Sequence, residues 1–416
     1  MAETLTTGAA AQTGKAVDVD NPLADMRIKY FLHEIFEQTG RRPRDLIGEI
    51  FRMYFSKRKV SAADYFSHRL FDPSLSWEEK TAFVGVVGSS RFNRTVNWNG
   101  VHHGCIDTKT MLAAMLKGYG LRAAETQAVA SAQRRHPQRT LSNAGELAQF
   151  LRHDARYPLF GKPVGGSQSL GVVSIDRYDA EADVLALKGV GAKGVDAFAE
   201  EIFETFEEDS YLLQDRIAPH PTLQKMAGDA LGTVRVVTVR DGRDVKPIYA
   251  VWKIPAVGAI ADNFWRDGNM LAHIDLETGE TVRVQIGSGV GARLIDTHPG
   301  TGETLLGVTM PDWDAMLALV ERAALAFPAT PVIGWDMGLT DQGPLVVEGN
   351  TNPNHTLFQI AANEGLFAGE RGRWFERMLT EAKAAKTKRK ATRKQKQRAH
   401  KRRALKTALS SVLADK

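Results

Sequence analysis

Residues 159–173 read LFGKPVGGSQSLGVV, which is a short apolar strand ending in a lysine, a glycine-rich loop and a second strand. Glycines leave backbone N–H groups free to approach an anion, and the lysine adds a positive charge beside them. The lysine precedes the glycines, whereas a P-loop carries Gly-Lys-Ser/Thr at the end of its loop. The stretch therefore predicts a phosphate-binding hairpin, and the alternative is a glycine hairpin that binds nothing.

Residues 340–344, TDQGP, predict a turn between two apolar runs and hence a second β-hairpin. If this segment forms the loop, Leu339 faces Leu345 and Asp336 faces Glu348. Two carboxylates directly opposite each other on one sheet face repel and destabilise the strand pair. The pattern therefore predicts that something offsets the repulsion between these two acids.

A divalent cation is one such group, and a third oxygen ligand is available for it. Asn350 lies two residues beyond Glu348 and so points to the same face of the strand. Oxygen ligands without cysteine or histidine suit a hard ion, and Mg²⁺ carrying nucleotide phosphates is the leading candidate. The alternative is a polar edge strand whose acids are merely solvated. Gly349 and Asn350 are poor strand residues, which favours a metal site formed by Asp336, Glu348 and Asn350.

The length and composition indicate a chain with more than one lobe. It has 416 residues, of which 43% are hydrophobic. Its single cysteine, Cys105, excludes a disulfide framework and fits a reducing compartment. The first residues lack the basic start and apolar run of a signal peptide, and no run of about 18 apolar residues is present. We therefore expect a cytoplasmic protein without a transmembrane segment.

The charge is unevenly distributed along the chain. The net charge is +5, but residues 382–407 contain 13 Lys or Arg and no acid, so the remainder carries 5 − 13 = −8. This tail has almost no aromatic residues that could stack on single-stranded nucleic acid. Three uses fit it: binding an anionic membrane surface peripherally, binding nucleic acid without sequence preference, or acting as a solvated solubility tail.

Local patterns predict the remaining elements. Helical periodicity dominates from Asp25 to about Lys80. On the second helix of this region the apolar residues predict a core face, formed by Leu46, Ile47, Ile50, Met53 and Tyr54. Asp107 and Ser142 are predicted as N-caps of two later helices. Strands are further predicted at residues 211–217, 232–240, 245–254 and 282–286, and helices at 196–208 and 312–326.

The order of these motifs resembles the ATP-grasp superfamily, in which two α+β lobes hold ATP between their sheets. The stretches that resemble its sugar-transfer-associated group are YLLQDRIAPHP at 211–221, GTVRVVT at 232–238, and GWD at 334–336 with EGN at 348–350. The resemblance covers roughly residues 107–370. It implies an α+β, two-lobed ATP-grasp fold with an N-terminal helical domain and a basic C-terminal tail that is helical or disordered.

The resemblance also implies roles for individual residues. Those expected to contact the phosphates are Lys109, Lys162 and the lid residues Gly165, Gly166, Ser167 and Gly171. The hinge strand from Gln214 to Ile217 would meet the adenine edge, although many members carry Glu where Gln214 stands. Arg235 would act with Lys162 as a catalytic cation that steadies the transferred phosphoryl group. The cofactors implied are ATP and Mg²⁺, with Mg²⁺ held by the three residues named above.

The implied activity is that of an ATP-dependent ligase. A substrate carboxylate would attack the γ-phosphate to give an acyl phosphate, and an amine or a sugar-linked acceptor would then displace phosphate, in polysaccharide or cell-envelope modification. Loops 93–103 and 262–269 are predicted to line the acceptor pocket. Two alternatives use the same ATP site: phosphotransfer to a hydroxyl, and nucleotide holding without turnover in a polyanion-binding protein.

The same resemblance sets the predicted domain boundaries. These are a disordered N-terminus at 1–22, a helical domain at 23–106, a first lobe at 107–220, a second lobe at 221–376, and a basic tail at 377–416.

Overall fold

The computed structural model of the chain describes residues 16–17, 28–165 and 170–414. Most of the N-terminal segment predicted to be disordered lies outside these ranges. Ala16 and Val17 are an exception, because both are buried and their backbone N–H groups donate to Glu201 Oε1 at 2.7 and 3.0 Å. Within the described ranges, no helix is long and apolar enough to cross a membrane.

The region before the first sheet is helical, as predicted. Its helices are α1 (Ile28–Thr39), α2 (Pro43–Phe55), α3 (Ala62–Ser67), α4 (Trp77–Ala82), α5 (Val86–Val96) and α6 (His103–Asp107). Ser61 and Ser76 begin α3 and α4 with capping boxes, in which serine side chain and third helical residue satisfy each other's backbone N–H groups.

Helix α2 has two apolar faces rather than one. Leu46 and Met53 are fully buried in the core of this helical region. Ile47 and Tyr54, by contrast, are 44% and 52% exposed. The prediction of a single core face was therefore wrong for these two residues, because an apolar stripe of this width exceeds what α1 and α3 cover.

The first sheet has the strand order β2-β1-β7-β3-β4-β5-β6. Its strands are β1 (Thr126–Ala130), β2 (Thr140–Leu141), β3 (Leu159–Pro163), β4 (Val173–Asp179), β5 (Val184–Leu187), β6 (Gly191–Gly194) and β7 (Tyr211–Asp215). Helices α8 (Ala144–His153) and α9 (Val195–Thr205) share its core. Asn143, not the predicted Ser142, caps α8, since its Oδ1 accepts from the backbone N–H of Glu146.

The second sheet has the order β12-β11-β10-β9-β8-β13-β14. Its strands are β8 (Val234–Asp241), β9 (Asp244–Ile254), β10 (Met270–Ile274), β11 (Thr281–Ile286), β12 (Arg293–Leu294), β13 (Val332–Thr340) and β14 (Gly343–Asn350). Both faces are covered, so side chains alternate between two cores. Ala250 and Trp252 belong to one core together with helices α10 (Pro221–Ala227) and α11 (Trp313–Leu325), and Tyr249 and Val251 to the other.

Helix α7 (Lys109–Gly118) packs against the second sheet. Its Leu112 and Leu116 are buried in the core that contains α11. The predicted boundary at residue 107 groups this helix with the first lobe, whereas its packing is with the second sheet. Asp107 does not cap it, because its carboxylate accepts from the backbone N–H and the hydroxyl of Thr351 at 2.8 and 2.7 Å.

The C-terminal region forms α12 (Thr356–Ala362) and the long helix α13 (Gly369–Ala414). The first turns of α13 bury Phe375 and Met378 against the second sheet. From Lys383 to Arg402 every residue is exposed. The predicted boundary between lobe and tail at residue 376 thus falls within one continuous helix.

Candidate active site between the two sheets

A cavity of about 360 Å³ lies between the two sheets. Strands β3 and β7 supply its wall on one side, and β8, β9, β13 and β14 supply the other. Of the predicted site residues, the cavity is lined by Lys109, Lys162, Gln214, Ile217, Arg235, Asp336, Glu348 and Asn350. The structure therefore brings together residues that are up to 241 positions apart in the sequence.

Two lysines reach this cavity from different lobes. Lys162 lies on β3 and is buried, and Lys109 is the first residue of α7. Lys109 Nζ donates to the carbonyl oxygen of Val164 at 3.2 Å and lies 4.0 Å from Glu348 Oε2. Burial lowers the pKa of Lys162 to about 8. The Glu348 carboxylate acts against this shift, and the positive charge of Lys109 adds to it. Lys162 is thus a cation that titrates close to neutral pH.

In the hairpin formed by β13 and β14, the two acids face each other as predicted, but the turn differs from the predicted one. Asp336 is in register with Glu348, as expected. The loop is shorter than predicted, however, because Thr340 pairs with Gly343 and Leu339 therefore pairs with Pro344 rather than Leu345. A β-bulge between positions 336 and 337 restores the predicted register at the acids.

Asp336 sits at the centre of a buried charge network. Arg235 donates to both of its carboxylate oxygens, Nε to Oδ1 at 2.5 Å and Nη2 to Oδ2 at 2.8 Å. Lys253 Nζ lies 3.3 Å from Asp336 Oδ2 and 3.3 Å from Asp262 Oδ2. Burial alone would raise the pKa of Asp336, but Arg235 and Lys253 outweigh burial and hold it well below its usual range. Asp336 is therefore ionised throughout the physiological range.

This network changes the argument for a metal ion. Arg235 and Lys253 contact the carboxylate of Asp336, and Lys109 lies near that of Glu348. These cations offset the repulsion between the two acids. A cation is thus not needed to make the hairpin stable, and in the described ranges no group of three or more His, Cys, Asp or Glu side chains could hold a metal ion.

Two carboxylates and an amide still fit Mg²⁺, which binds through one or two carboxylates together with substrate phosphates and water. The Glu348 side chain is 34% exposed and lines the cavity, where both lysines also lie. Asn350 lines it too, although its Oδ1 accepts from the backbone N–H of Asn352 at 2.7 Å. The metal site at Asp336, Glu348 and Asn350 stays a prediction.

The predicted hinge is part of the cavity lining. Residues 214–217 all line it. Gln214 is buried, and its Nε2 donates to Thr126 Oγ1 at 3.4 Å. The backbone N–H of Asp215 donates to the carbonyl of Glu125. The hinge is therefore anchored to β1 by both backbone and side chain.

The glycine loop joins β3 and β4, and Gly166 and Ser167 lie outside the described residues. Gly165 is exposed near Asp209. Gly171 has a φ of +73°, and a Cβ there would lie 2.7 Å from Phe206 Cζ. The hydroxyl of Tyr211 donates to the carbonyl of Gly171 at 2.9 Å. Gly171 is thus a fixed end of the loop that only glycine can occupy without strain.

One of the two loops predicted to line the acceptor pocket has a structural role instead. Asn93 donates to the carbonyl of Pro353 at 2.8 Å, and Asn97 donates to the carbonyls of Val332 and Thr351. The ring of His102 packs on Phe327. No residue from Asn93 to His103 lines the cavity, so the prediction for this loop was wrong. The amide side chains of this segment instead hold the turn that follows Asn350. Asp262 and Asn263, from the other loop, do line the cavity.

The match to a known family covers both sides of this cavity. The sequence profile described as sugar-transfer associated ATP-grasp matches residues 89–371. This range is more than half of the chain and includes every cavity-lining residue described above.

The chain belongs to the sugar-transfer associated ATP-grasp family. The resemblance drawn from the sequence motifs is thereby confirmed, and so is the two-lobed α+β fold. No curated protein matches the chain.

Several solved structures are similar to this ATP-grasp chain. An L-amino acid ligase from Bacillus licheniformis has 12% identity and a TM-score of 0.35, covering 62% of this chain and 45% of that one. A D-alanine–D-alanine ligase from Coxiella burnetii has 14% identity and a TM-score of 0.38, covering 69% and 60%. The D-alanine–D-alanine ligase from Bacillus anthracis has 17% identity and a TM-score of 0.36, covering 69% and 70%. The chain thus spans less than half of the first of these enzymes.

Two lysines of the ATP-grasp cleft were not predicted from the sequence. Lys253 joins Asp262 to Asp336, and Lys188 lines the cavity after β5. Lys253 carried a signal that could have been read, since it interrupts the apolar run AVWKI at 250–254. A cation in a buried strand needs a partner of opposite charge. The partners of Lys253 are Asp262 and Asp336, and both line the cavity.

Proposed function

We propose that this protein is an ATP-dependent ligase that activates a carboxylate as an acyl phosphate and transfers the acyl group to an amine or another nucleophile. The observation that carries the proposal is the charge of the cleft lining, where six cations outnumber five carboxylates. The cations are Lys109, Lys162, Lys188, Arg216, Arg235 and Lys253, and the carboxylates are Asp215, Asp229, Asp262, Asp336 and Glu348. The excess of positive charge suits a polyphosphate, and its fixed positions suit charge that develops during phosphoryl transfer.

The cleft residues would divide into four sets by the part of the substrate that they contact. Gln214 to Ile217 would contact the base, while Lys109 and Lys162 would contact the phosphates. Asp336, Glu348 and Asn350 would hold Mg²⁺, which neutralises phosphate charge when bound. Arg235 uses Nε and Nη2 to bind Asp336, so Nη1 is not part of this pair and would steady the transferred group.

The reaction balances without a general base at the first step. An oxygen of the substrate carboxylate forms a bond to the γ-phosphorus as the bond to ADP breaks. The nucleophile then attacks the acyl carbon and the bond from that carbon to the phosphate oxygen breaks. Inorganic phosphate leaves with the oxygen that came from the carboxylate and takes up the proton that the nucleophile loses. The same ATP site would serve phosphotransfer to a hydroxyl, in which case a phosphorylated acceptor replaces inorganic phosphate as the product.

Magnesium-dependent ATP turnover tests this proposal with pooled amino acids, amino sugars and uronic acids. We expect ADP and phosphate only when one carboxylate and one nucleophile are both present. Glu348→Gln should lower turnover by roughly 100-fold or more, the size of effect seen when one charge-stabilising group is removed. Glu277→Gln, on an exposed loop of the same lobe, is the matched control and should keep full turnover. Equal activity in both variants would contradict the assignment of the site.

A further inference from the structure

Beyond the cleft, the C-terminal part of α13 is an unusual surface. From Lys383 to Arg402 every residue is exposed, including four alanines. A helix on which every residue is exposed over more than five turns has no face buried against the body. The last fixed contact with the body is Arg389, which hydrogen-bonds Asn99 and lies over the ring of Trp98, 5.2 Å from its centroid. From Lys390 to Arg402, where the side chains are described, the helix therefore extends away from the two lobes.

The cations of this segment surround the helix axis. Residues 383–406 include 13 Lys or Arg and no acid. At about 100° per residue, neighbouring cations are never more than about 60° apart around the helix. Six pairs of them are spaced i,i+4, where like charges destabilise a helix by roughly 0.2–0.5 kcal/mol each. A ligand that neutralised all faces at once would relieve this repulsion.

A flat anionic membrane is a poor match for this distribution. A bilayer surface contacts one side of a helix, and a helix that lies in the interface needs apolar residues on that side. Between residues 383 and 406 the only apolar residues are five alanines and Leu405, too few for an apolar face. A groove with charged walls on both sides matches the distribution better.

We propose that α13, from Lys383 to Lys406, binds the major groove of duplex DNA without reading its sequence. The helix is about 10–12 Å in diameter, and the major groove of B-form DNA is about 12 Å wide. The segment is about 35 Å long at 1.5 Å per residue, which is close to one turn of the duplex. Its side chains are mostly point charges suited to phosphates, which position a protein but carry no sequence information. The acidic body, with a net charge of −8, is repelled by the duplex and so limits contact to the helix.

Fluorescence anisotropy with a 24-base-pair DNA duplex tests the proposal, using the full chain. If about half of the cations contact phosphates, roughly six counterions are released, and log K should fall with log salt with a slope of about −5. The affinity should thus drop on the order of 10³-fold between 50 and 200 mM salt. Circular dichroism should show more helix when the duplex is added, because phosphate removes the repulsion within α13.

Two variants with equal net charge separate the helix from general electrostatics. In the first, alanine replaces six cations of α13: Lys390, Arg393, Lys394, Lys396, Arg398 and Arg402. In the second, alanine replaces six exposed cations of the body: Arg44, Lys117, Lys225, Lys246, Arg293 and Arg322. The first should bind DNA at least about tenfold more weakly with a much shallower salt slope, and the second should bind like the parent. Both should keep ATP turnover.

The choice of polyanion is tested in parallel with duplex RNA and phosphatidylserine vesicles. The A-form major groove is too narrow for a helix, so we expect DNA to bind about tenfold or more tightly than duplex RNA. Equal affinity for the two duplexes, binding to vesicles but not to DNA, or full DNA binding by the α13 variant would each overturn the proposal.

Discussion

The cleft and the free part of α13 use the same kinds of cation in opposite ways. In the cleft, Arg235 and Lys253 are about 13% and 12% exposed and are bonded to carboxylates at fixed distances. In the free part of α13, the 11 cations from Lys383 to Arg402 have no acid among them and are exposed to water. The effect of a buried cation therefore depends on its fixed position. The effect of exposed cations depends on how many of them there are, and salt screens it.

The comparison also explains where sequence change should matter. Removing one partner from a buried charge network leaves the others desolvated and unpaired, which is costly. Removing an exposed cation from a helix costs little, since water already solvates it. Stability should thus depend on single residues in the cleft and hardly at all on those of α13.

The largest expected effect is that of Asp336→Ala. It leaves Arg235 and Lys253 buried without the carboxylate that both contact. We expect the free energy of unfolding to fall by about 3–5 kcal/mol, measured by urea denaturation. Asp341→Ala, at the exposed tip of the same hairpin, is the matched control and should change it by less than about 0.5 kcal/mol. Similar small losses in both variants would show that the network is not coupled to folding.

The next effect is on the pH dependence of ATP binding. The pKa of Lys162 is about 8, so its proton is lost as the pH rises through that value. The dissociation constant of ATP, measured by calorimetry without a co-substrate, should rise by about tenfold between pH 8 and 9.5. Lys162→Arg keeps its charge over this range and should give a flatter profile.

Protein stability should move in the other direction over the same range. The pKa of Lys162 is lower in the folded protein than in the unfolded chain, so the unfolded chain binds more protons between about pH 8 and 10.5. The penalty of burying the charge is present below pH 8 and is relieved as the pH rises. Weaker ATP binding together with a loss of stability would contradict the role of Lys162 as a buried cation.

The smallest effect is expected in α13. The variant with six alanines in this helix should change the free energy of unfolding by less than about 0.5 kcal/mol. Its helix content should stay the same or rise, because alanine is the best helix former and like-charge pairs are removed. A large loss of stability, seen by circular dichroism on heating, would mean that these cations contact the body after all.

The fold followed from spacing and turn residues, and the main errors came from long-range packing. The facing of Asp336 and Glu348 was predicted from the turn at 340–344, yet the register depends on a bulge that no local pattern revealed. The exposed face of α2 depends on how much of it α1 and α3 cover, and the packing of α7 depends on which sheet it meets. Periodicity shows that a helix has an apolar face but not what covers it.

The site was predictable where a residue broke its local pattern. Lys162 at the end of a strand and Arg235 within an apolar run both drew attention for that reason, and both line the cleft. Lys253 had the same signal without being singled out. The pairing of Arg235 with Asp336 could not be predicted, since it depends on the register of β8 against β13. The same pairing explains how two opposed acids coexist without requiring a metal ion.

The ligase proposal is tested most directly by following oxygen from the carboxylate substrate. The carboxylate pool that supports turnover is labelled with ¹⁸O, and the released inorganic phosphate is analysed by mass spectrometry. An acyl-phosphate path transfers one labelled oxygen to each phosphate, so we predict one ¹⁸O per phosphate, with none in ADP. Unlabelled phosphate would show that water attacks ATP instead, and a phosphorylated product without free phosphate would show transfer to a hydroxyl; either result would contradict the account.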